Sequence, residues 1–488
     1  MKKIILFQTD VGYYCDVLSS PDLPLGLLKA ASFLSQDHKI IIIDARLDRK
    51  WKNTLDKELR AGEVICVGVT VMLGSSIKQG LEASAYVKKY FPDIKVIWGG
   101  KNSTLAAEDT LKERIIDIVV RGEAEEVFDK LVRKLEKGKS YTDIKGISFI
   151  NGLNFVHNPM SQPLNLDELP RLPYELIDVR KYQPKMGGRR SLNYESSRGC
   201  PIGCPFCYNN ISRGRIWRGL STAKVINDIL LLKEKYGVEH IYFVDDNLFC
   251  DIERLKEIAC GLIRNKCEIS WDTQGACLRD VDALTDAELQ LLKDSGLVRL
   301  AIGVQTGSDN IRKLIESSLT DTMVLGVNEK LKKFNIKPHY YFMMAFPGET
   351  QEDRMATVRL ALNLLKNNRQ ATTSSFFCFA PWPGTRLFEL AQSEYGLKKP
   401  KGLSYWIREW DFSAAPWLTD KDKFLLHNLF LVSMFYDNKS DWYSDSRIVK
   451  FISALYRPLA KYRVQNMNFN YMFEAKLISW GKAALKYF

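Results

Sequence analysis

The 488-residue sequence predicts an α/β protein with a doubly wound first domain, a six-unit partial β/α barrel and a mainly helical C-terminal region. Three observations lead to this prediction. Strand and helix patterns alternate over residues 1–140, they alternate again over residues 189–395, and aromatic and basic residues become dense over residues 396–488. A chain of this length normally forms about three domains of roughly 150 residues each.

Composition excludes several classes of protein. Hydrophobic residues make up 46% of the chain and charged residues 26%, as in ordinary globular proteins. No apolar run approaches the roughly 18 residues of a spanning helix, and the short apolar run after Lys3 indicates a first strand, not a signal peptide. We therefore expect a cytoplasmic protein whose ten cysteines do not form a disulfide framework. The net charge of +12 alone fits nucleic acid, anionic lipid or an acidic cofactor.

The first domain is predicted from apolar strands that alternate with helices. The predicted strands are residues 4–8, 39–44, 64–70, 95–98 and 116–120, and the predicted helices are residues 25–34, 76–90 and 123–135. Continuously apolar strands indicate a parallel sheet covered on both faces. The ligand crevice of such a sheet lies beyond the carboxyl ends of its strands. The small or flexible residues at these ends include Gly12, Gly74, Ser75, Gly99, Gly100, Gly122 and Glu123.

Two nucleotide-binding motifs are missing from the sequence. No G-x-G-x-x-G follows the first strand, and no G-x-x-x-x-G-K-[ST] occurs anywhere, which argues against dinucleotide and nucleoside triphosphate binding. Residues 141–188 are predicted to be a hairpin around Asn151 and Gly152, followed by a proline-rich connector.

The second domain is predicted from six strand-like runs, and the second to sixth of them end in polar residues. The runs are residues 192–197, 239–244, 268–273, 298–304, 337–345 and 373–379. Active sites of β/α barrels lie at the carboxyl ends of the strands. The polar residues at these ends include Asp246, Gln274, Gln305, Thr306 and Ser308. Turns and helix caps also account for any single one of them.

The most specific signal in the chain is a C-x3-C-x2-C cluster formed by Cys200, Cys204 and Cys207. Three thiolates on one tight loop can converge on a soft metal centre. Zinc would require a fourth ligand nearby, and the nearest histidines, His157 and His240, are remote in sequence. Three ligands around a four-iron cluster leave one iron open. The isolated cysteines, Cys15, Cys66, Cys250, Cys260, Cys267, Cys277 and Cys378, are predicted to be small buried hydrophobes.

With an aromatic residue directly after the last cysteine, this spacing resembles the radical S-adenosylmethionine (SAM) superfamily. The resemblance implies a [4Fe-4S] cluster on Cys200, Cys204 and Cys207. Its open iron binds SAM, and electron transfer cleaves SAM to methionine and a 5′-deoxyadenosyl radical. The segments that begin at Gly303, Pro347 and Pro383 are also similar to this superfamily. The residues thereby assigned to the SAM site are Tyr208, Asp246, Gln274, Gln305, Thr306 and Ser308.

An α/β domain directly before such a core resembles the Rossmann-like domain of the cobalamin (B12)-dependent radical SAM family, and the core itself resembles a partial TIM-like barrel. The resemblance covers residues 1–390 and implies cobalamin bound by Gly12, Thr70, Met72, Gly74, Ser75, Gly99, Gly100, Gly122 and Glu123. Other cobalamin proteins place their lower axial histidine where this chain has Gly12, and His38 belongs to the opposite edge of the sheet. Cobalt is therefore expected without a histidine ligand.

Methylthiotransferases resemble this core but carry three further cysteines in the first domain. Only Cys15 and Cys66 precede the core here, so that family is excluded.

The C-terminal region carries more than half of the net charge. Residues 446–488 contain eight Lys or Arg and one acidic residue, Glu474. Residues 448–462 and 473–488 place apolar side chains at helical spacing with basic residues between them. Such helices either pack over the barrel mouth or make a peripheral membrane contact. No RNA-binding motif is present, and no nucleic-acid partner is expected.

The resemblance implies a methyltransferase that methylates an unactivated carbon through a 5′-deoxyadenosyl radical and methylcobalamin. Its partners would be a small-molecule or peptide substrate and a reductant such as flavodoxin or ferredoxin. Two alternatives stay open. Relatives of this kind also catalyse cyclisation or rearrangement without methyl transfer. A non-catalytic metal-cluster protein could use the basic tail to bind membrane or nucleic acid.

Overall fold

The computed structural model describes residues 2–10, 20–212, 214–407, 412–444 and 446–472. These residues form two compact units. The first contains the described residues up to Pro184 together with residues 399–407, and the second contains the described residues from Lys185 to Lys398 and from Phe412 onward.

The first unit is built on a seven-stranded sheet in the order β2-β1-β3-β4-β5-β6-β7. Its strands are β1 (Lys3–Gln8), β2 (Lys39–Asp44), β3 (Val64–Thr70), β4 (Lys95–Gly99), β5 (Ile118–Val120), β6 (Ile147–Asn151) and β7 (Asn154–His157). Strands β1 to β5 are parallel, and the chain order reverses between β1 and β3. This reversal is the switch point at which a doubly wound sheet binds its ligand.

Helices cover both faces of this sheet. They are α1 (Leu25–Ala31), α2 (Trp51–Arg60), α3 (Ser75–Tyr90), α4 (Lys101–Leu105), α5 (Ala107–Leu111) and α6 (Glu125–Glu136). Along β1, Ile5 and Phe7 enter the hydrophobic core on one face, whereas Ile4 and Leu6 enter the core on the other. Because successive side chains of a strand point to opposite faces, a strand buried on both sides is apolar throughout. The predicted doubly wound domain is confirmed.

Two sequence-based boundaries differ from the structure. The hairpin that was predicted as part of the connector extends the first sheet, because Phe149 of β6 pairs antiparallel with Ile118 and both are buried in the same core. The region that begins at residue 396 also contributes to the first unit. Its helix α16 (Leu403–Ile407) places Leu403 and Trp406 in the core around Trp98.

The second unit is built on a seven-stranded sheet in the order β16-β15-β14-β13-β12-β9-β8. Its strands are β8 (Lys185–Met186), β9 (Arg189–Tyr194), β12 (His240–Phe243), β13 (Ser270–Ala276), β14 (Leu297–Gln305), β15 (Lys337–Met344) and β16 (Thr372–Cys378). A separate two-stranded ladder joins β10 (Ser197–Arg198) to β11 (Arg218–Gly219). From β9 to β16 neighbouring strands in the sheet are parallel and follow chain order, which confirms the predicted six-unit partial barrel.

Helices follow the strands in the expected alternation. They are α7 (Asn209–Ser212), α8 (Thr222–Tyr236), α9 (Ile252–Arg264), α10 (Leu278–Ala283), α11 (Asp286–Asp294), α12 (Asp309–Leu314), α13 (Asp321–Lys333), α14 (Gln351–Asn367), α15 (Arg386–Glu394), α17 (Asp420–Ser433), α18 (Ser440–Tyr443) and α19 (Arg447–Asn466). The second predicted tail helix, residues 473–488, lies outside the described residues. No helix in the described ranges is long and apolar enough to cross a bilayer.

A buried polar network lies at the amino end of the half-barrel. The Asp272 carboxylate accepts hydrogen bonds from His240 Nε2 and from Arg299 Nη1, both at 3.0 Å. The rings of Trp442 and Tyr443 lie over the Arg299 guanidinium at 5.3 and 5.1 Å. His240 is the first residue of β12, so this part of the aromatic tail packs on the end of the barrel opposite the mouth.

Replacing Asp272 should destabilise the barrel strongly. In Asp272→Leu the guanidinium of Arg299 stays buried without its carboxylate, which should lower the free energy of unfolding by about 3–5 kcal/mol. Glu352→Gln removes an exposed ion pair with Arg359 and should cost less than about 1 kcal/mol. Urea unfolding of both variants measures the difference, and equal midpoints would contradict the structural role of the buried network.

Candidate functional site

The three clustered cysteines lie on the loop between β10 and α7. The N–H of Cys204 donates to the carbonyl of Ile202 at 2.9 Å, and the N–H of Cys207 donates to that of Cys204 at 3.0 Å. None of the three cysteines forms a disulfide, and all three are half-buried. Burial raises the pKa of Cys200 to about 12, and the charges of Cys204 and Cys207 raise it as well. The loop therefore brings three thiols near one another, in a site where the Cys200 and Cys204 thiols stay protonated unless a cation is bound.

Close backbone packing fixes the beginning of this loop. Gly199 has a φ of +90°, and a Cβ on it would lie 1.9 Å from the carbonyl oxygen of Ile216. The N–H of Gly199 donates to the Asp246 carboxylate at 2.8 Å. Only glycine combines this conformation with this contact. Asp246, which was predicted to bind SAM, therefore also holds the thiol loop to the end of β12.

The neighbouring carboxylate, Asp245, is fully buried under the same loop. It accepts hydrogen bonds from the Ser196 N–H at 3.1 Å, from the Ser196 hydroxyl at 2.7 Å and from the Ser197 hydroxyl. Burial raises the pKa of Asp245 to about 6, although the two serines act in the opposite direction. The carboxylate links β10 to β12, the next strand of the barrel.

A cavity of about 470 Å³ adjoins the thiol loop. Arg386 crosses its rim, donating to the carbonyl of Gly203 at 3.2 Å and pairing with Glu316. The Arg215 guanidinium lies so close to Gly203 that a Cβ there would be 2.3 Å from its Cζ. The full lining is Ile202, Gly203, Cys204, Asn210, Arg215, Glu316, Gly384, Thr385 and Arg386. Two guanidinium groups therefore lie against Gly203 of the thiol loop.

The polar residues predicted for the SAM site occupy the carboxyl ends of the barrel strands. Gln274 is exposed near the end of β13, and its side chain hydrogen-bonds with Tyr341. Gln305 ends β14 with a φ of +69°, and its amide folds back over Gly303. Tyr208 follows Cys207, and its ring centroid lies 5.7 Å from that of Trp382. Gln274 is exposed, and Gln305 and Tyr208 are half-buried.

Thr306 and Ser308 are buried, and their hydroxyls are engaged within the protein. The Thr306 hydroxyl lies 3.0 Å from that of Thr357. The Ser308 hydroxyl donates to the carboxylate of Asp353 and accepts from the N–H of Ile311, which caps α12. These two hydroxyls shape the turn after β14, as the helix-cap interpretation of the sequence expects.

The donor set fits an iron–sulfur cluster better than a single ion. Within the described residues, no group of three or more His, Cys, Asp or Glu side chains could hold one metal ion. In a four-iron cluster each thiolate binds a different iron, so its ligands stand further apart than ligands that share an ion. Three cysteine thiols on one loop, with no histidine that joins them in a single-ion site within the described residues, fit that arrangement.

At the carboxyl edge of the first sheet, the structure gathers most of the residues predicted to bind cobalamin. Thr70, Met72, Gly74 and Ser75 follow or end β3, Gly99 and Gly100 end or follow β4, and Gly122 and Glu123 follow β5. Gly100 has a φ of +104°, and a Cβ on it would lie 2.6 Å from the carbonyl oxygen of Val71. Met72 and Ser75 are exposed. Gly12 lies outside the described residues.

The candidate axial histidine is held at the other edge of this sheet. His38 directly precedes β2, with Nδ1 2.7 Å from the Asp37 carboxylate and Nε2 3.3 Å from that of Glu136. Both ring nitrogens are therefore engaged at the amino end of the strands. This geometry agrees with a crevice that offers cobalt no ligand from His38.

Sequence reasoning missed two polar residues at these sites. Asn102 is wholly buried after the Gly99-Gly100 turn, and neither side-chain atom has a hydrogen-bond partner in the described structure. Cys277 follows β13, and its charge raises the pKa of both Cys200 and Cys204. Asn102 could have been noticed as an amide two residues beyond the glycine pair. Cys277 is too remote in sequence for spacing to reveal it.

Comparisons with known proteins agree with this geometry. A model of the B12 binding domain matches residues 18–132, and a model of the Radical SAM superfamily matches residues 194–361. An uncharacterized methyltransferase of Pyrococcus horikoshii is 30% identical over 395 residues, which is 80% of this chain and 83% of the relative. An anaerobic magnesium-protoporphyrin IX monomethyl ester cyclase of Rubrivivax gelatinosus is 24% identical over 75% of this chain and 64% of its own length.

A solved structure shares the fold. The cobalamin-dependent SAM radical enzyme OxsB with bound aqua-cobalamin superposes with a TM-score of 0.75 and 17% identity, over 95% of this chain and 72% of that one. The two family models fall on the two units in which the crevice and the thiol loop lie, and the Pyrococcus relative matches across most of the chain. The chain belongs to the cobalamin-dependent radical SAM family.

Proposed function

We propose that this enzyme transfers a methyl group to an unactivated carbon of a small-molecule or peptide substrate. The observation that carries the proposal is the loop of three cysteine thiols at the carboxyl end of a half-barrel, in a chain that also has a B12-binding domain. The relative of this chain from Pyrococcus is described as a methyltransferase, which supports methyl transfer over cyclisation.

Enzymes of this family use a [4Fe-4S] cluster, SAM and cobalamin, which together supply radical formation and cobalt-based group transfer when bound. In our proposal, Cys200, Cys204 and Cys207 hold the cluster. Tyr208, Asp246, Gln274, Gln305, Thr306 and Ser308 form the SAM site. Gln274 and Gln305 present amides, whereas Thr306 and Ser308 act through the turn that their buried hydroxyls shape.

The first unit is proposed to hold cobalamin at the carboxyl edge of its sheet. Gly12, Gly74, Gly99, Gly100 and Gly122 let the backbone approach a bulky ligand. The other proposed contacts are Thr70, Met72, Ser75 and Glu123. The exposed Met72 would supply apolar surface to the cofactor, and Gly12 would contribute backbone without a side-chain ligand.

Asn102 is proposed as a further cobalamin contact. A wholly buried amide without a partner costs roughly 1–3 kcal/mol, so its retention needs a reason. Cobalamin carries amide side chains and a phosphodiester, which can accept a hydrogen bond from the Asn102 amide. The position of Asn102 directly after the Gly99-Gly100 turn supports this role.

For its partners and location, we propose electron delivery by a flavodoxin or ferredoxin and a cytoplasmic enzyme that contacts a membrane peripherally. The two guanidinium groups beside the thiol loop, Arg215 and Arg386, would favour an acidic reductant.

The reaction type can be tested with methyl-labelled SAM. In the presence of substrate, anaerobically reduced holoenzyme should form S-adenosylhomocysteine together with 5′-deoxyadenosine, because methyl transfer consumes one SAM and radical formation another. Chromatography of the quenched mixture measures both products. A Cys200→Ala, Cys204→Ala, Cys207→Ala triple variant should lose 5′-deoxyadenosine and keep bound cobalamin. Formation of 5′-deoxyadenosine without S-adenosylhomocysteine would indicate a cyclase or a rearrangement enzyme and contradict methyl transfer.

Gly199→Ala should prevent cluster assembly. The added Cβ collides with the carbonyl of Ile216, so the loop must move away from Asp246. Gly214→Ala is the matched control, because Gly214 also has a positive φ and nothing lies within 4 Å of the added Cβ. Iron content and visible absorbance after anaerobic reconstitution should be lost only in Gly199→Ala. A full cluster in that variant would contradict the proposed role of the backbone contact.

Asn102→Leu should stabilise the cobalamin-free protein and weaken cobalamin binding. Removing the unsatisfied amide should raise the melting temperature by about 2–4 °C, which corresponds to about 1 kcal/mol. The dissociation constant for cobalamin, followed by absorbance, should rise about tenfold.

Asn328→Leu is the control for this substitution. Asn328 is equally buried, but its amide donates to the Leu364 carbonyl and accepts from the Tyr340 hydroxyl. It should lower the melting temperature and leave cobalamin affinity unchanged. Unchanged affinity in Asn102→Leu would refute the assignment.

A further inference from the structure

Helix α19 presents a continuous apolar face to solvent. Its 20 residues bury a few side chains, including Ser453, Ala460 and Val464, on one side. The opposite side exposes large apolar residues to between 37% and 71%. These residues, called the apolar stripe below, are Ile448, Phe451, Ile452, Leu455, Leu459 and Tyr462. Their spacing of three or four places them on one face along the whole helix.

Packing within the second unit does not explain why the apolar stripe faces solvent. A surface helix of a globular protein normally turns its apolar face inward and its charged face outward. Here the inward face is formed by small or partly polar residues, such as Ser453 and Ala460, and the outward face carries the large apolar ones. A contiguous exposed apolar surface of this kind marks an interaction site.

Basic side chains accompany the stripe. Arg447 and Lys461 are exposed and Lys450 is partly exposed, and all three lie on one flank of it. No acidic residue occurs between Arg447 and Met472. Other arginines of the helix are committed elsewhere: Arg457 donates to the Asp437 carbonyl at 3.1 Å, and Arg463 donates to the Asn470 carbonyl at 3.0 Å. The charge along the stripe is therefore uniformly positive.

The positive charge of helix α19 favours one of the surfaces that could cover the apolar stripe. A second copy of the helix would bring basic residues against basic residues with no carboxylate between them. An anionic bilayer surface complements both features, because headgroups attract Lys and Arg while the acyl boundary accepts the apolar face. A helix of 20 residues is about 30 Å long and lies in the plane of such an interface.

We propose that α19 binds the surface of a bilayer that contains anionic phospholipid, with the apolar stripe in the acyl boundary and Arg447, Lys450 and Lys461 at the headgroups. The contact is independent of the cofactors. It gives the proposed peripheral location a defined face of the molecule and brings the enzyme to the surface from which a lipid-soluble substrate would be drawn.

Vesicle co-sedimentation of the full chain tests this proposal. Wild-type protein should bind vesicles of phosphatidylcholine with phosphatidylglycerol, and bind phosphatidylcholine vesicles at least about tenfold more weakly. The variant Ile448→Ser with Leu455→Ser should lose binding about tenfold or more, and Lys450→Gln with Lys461→Gln should lose the preference for anionic lipid. Leu153→Ser is the control, since Leu153 is 88% exposed on the β6–β7 turn of the first unit.

Several outcomes would overturn the proposal. Undiminished vesicle binding by the Ile448→Ser, Leu455→Ser variant would exclude the stripe. Failure of the wild-type protein to bind either kind of vesicle would exclude a membrane contact. If the wild-type protein is a dimer and the Ile448→Ser, Leu455→Ser variant is a monomer, the stripe binds a second copy of the chain instead. Because these positions are exposed, the melting temperature and the cleavage of SAM without lipid should not change. Absence of SAM cleavage by the wild-type protein would count against the proposed reaction and not against the membrane contact.

Discussion

Two neighbouring carboxylates at the end of one barrel strand hold the loop that carries the three thiols. Asp246 accepts from the N–H of Gly199, and Asp245 accepts from Ser196 and Ser197. These contacts tie the loop to the carboxyl edge of β12, where the ends of the parallel strands converge. Burial raises the pKa of Asp245 to about 6, and the hydrogen bonds from the two serines act in the opposite direction because they stabilise the carboxylate. The position of any cluster on the loop depends on this link.

The fold could be predicted from sequence because β1 to β5 of the first sheet and β9 to β16 of the second are parallel and follow chain order closely. Continuous apolar strands between amphipathic helices have few topological solutions, and right-handed crossovers reduce them further. The hairpin at Asn151 and helix α16 were assigned to other regions because periodicity shows that an element has an apolar face, not which core buries it. Phe149 and Trp406 are buried in the two hydrophobic clusters of the first unit, although both are distant in sequence from most residues of those clusters.

Some features of the candidate site could likewise be predicted from sequence, and others could not. The thiols could be located from sequence because the cysteines are adjacent on one loop and share a spacing. Cys277, by contrast, comes near that loop only through the pairing of β12 with β13. Packing leaves the Asn102 amide without a hydrogen-bond partner and places the Ser308 hydroxyl in hydrogen bonds within the protein. Neither arrangement can be predicted from residue type alone. Residue type predicts which chemistry is available, and tertiary structure decides which atoms are already engaged.

The EPR spectrum of the reduced, anaerobically reconstituted protein, recorded with and without SAM, tests the central claim most directly. Three protein thiolates should leave one iron of the cluster open, and SAM binds there in this family. Our account predicts a cluster signal that changes when SAM is added. A signal that SAM does not alter, or a zinc-loaded protein without any cluster signal, would contradict it.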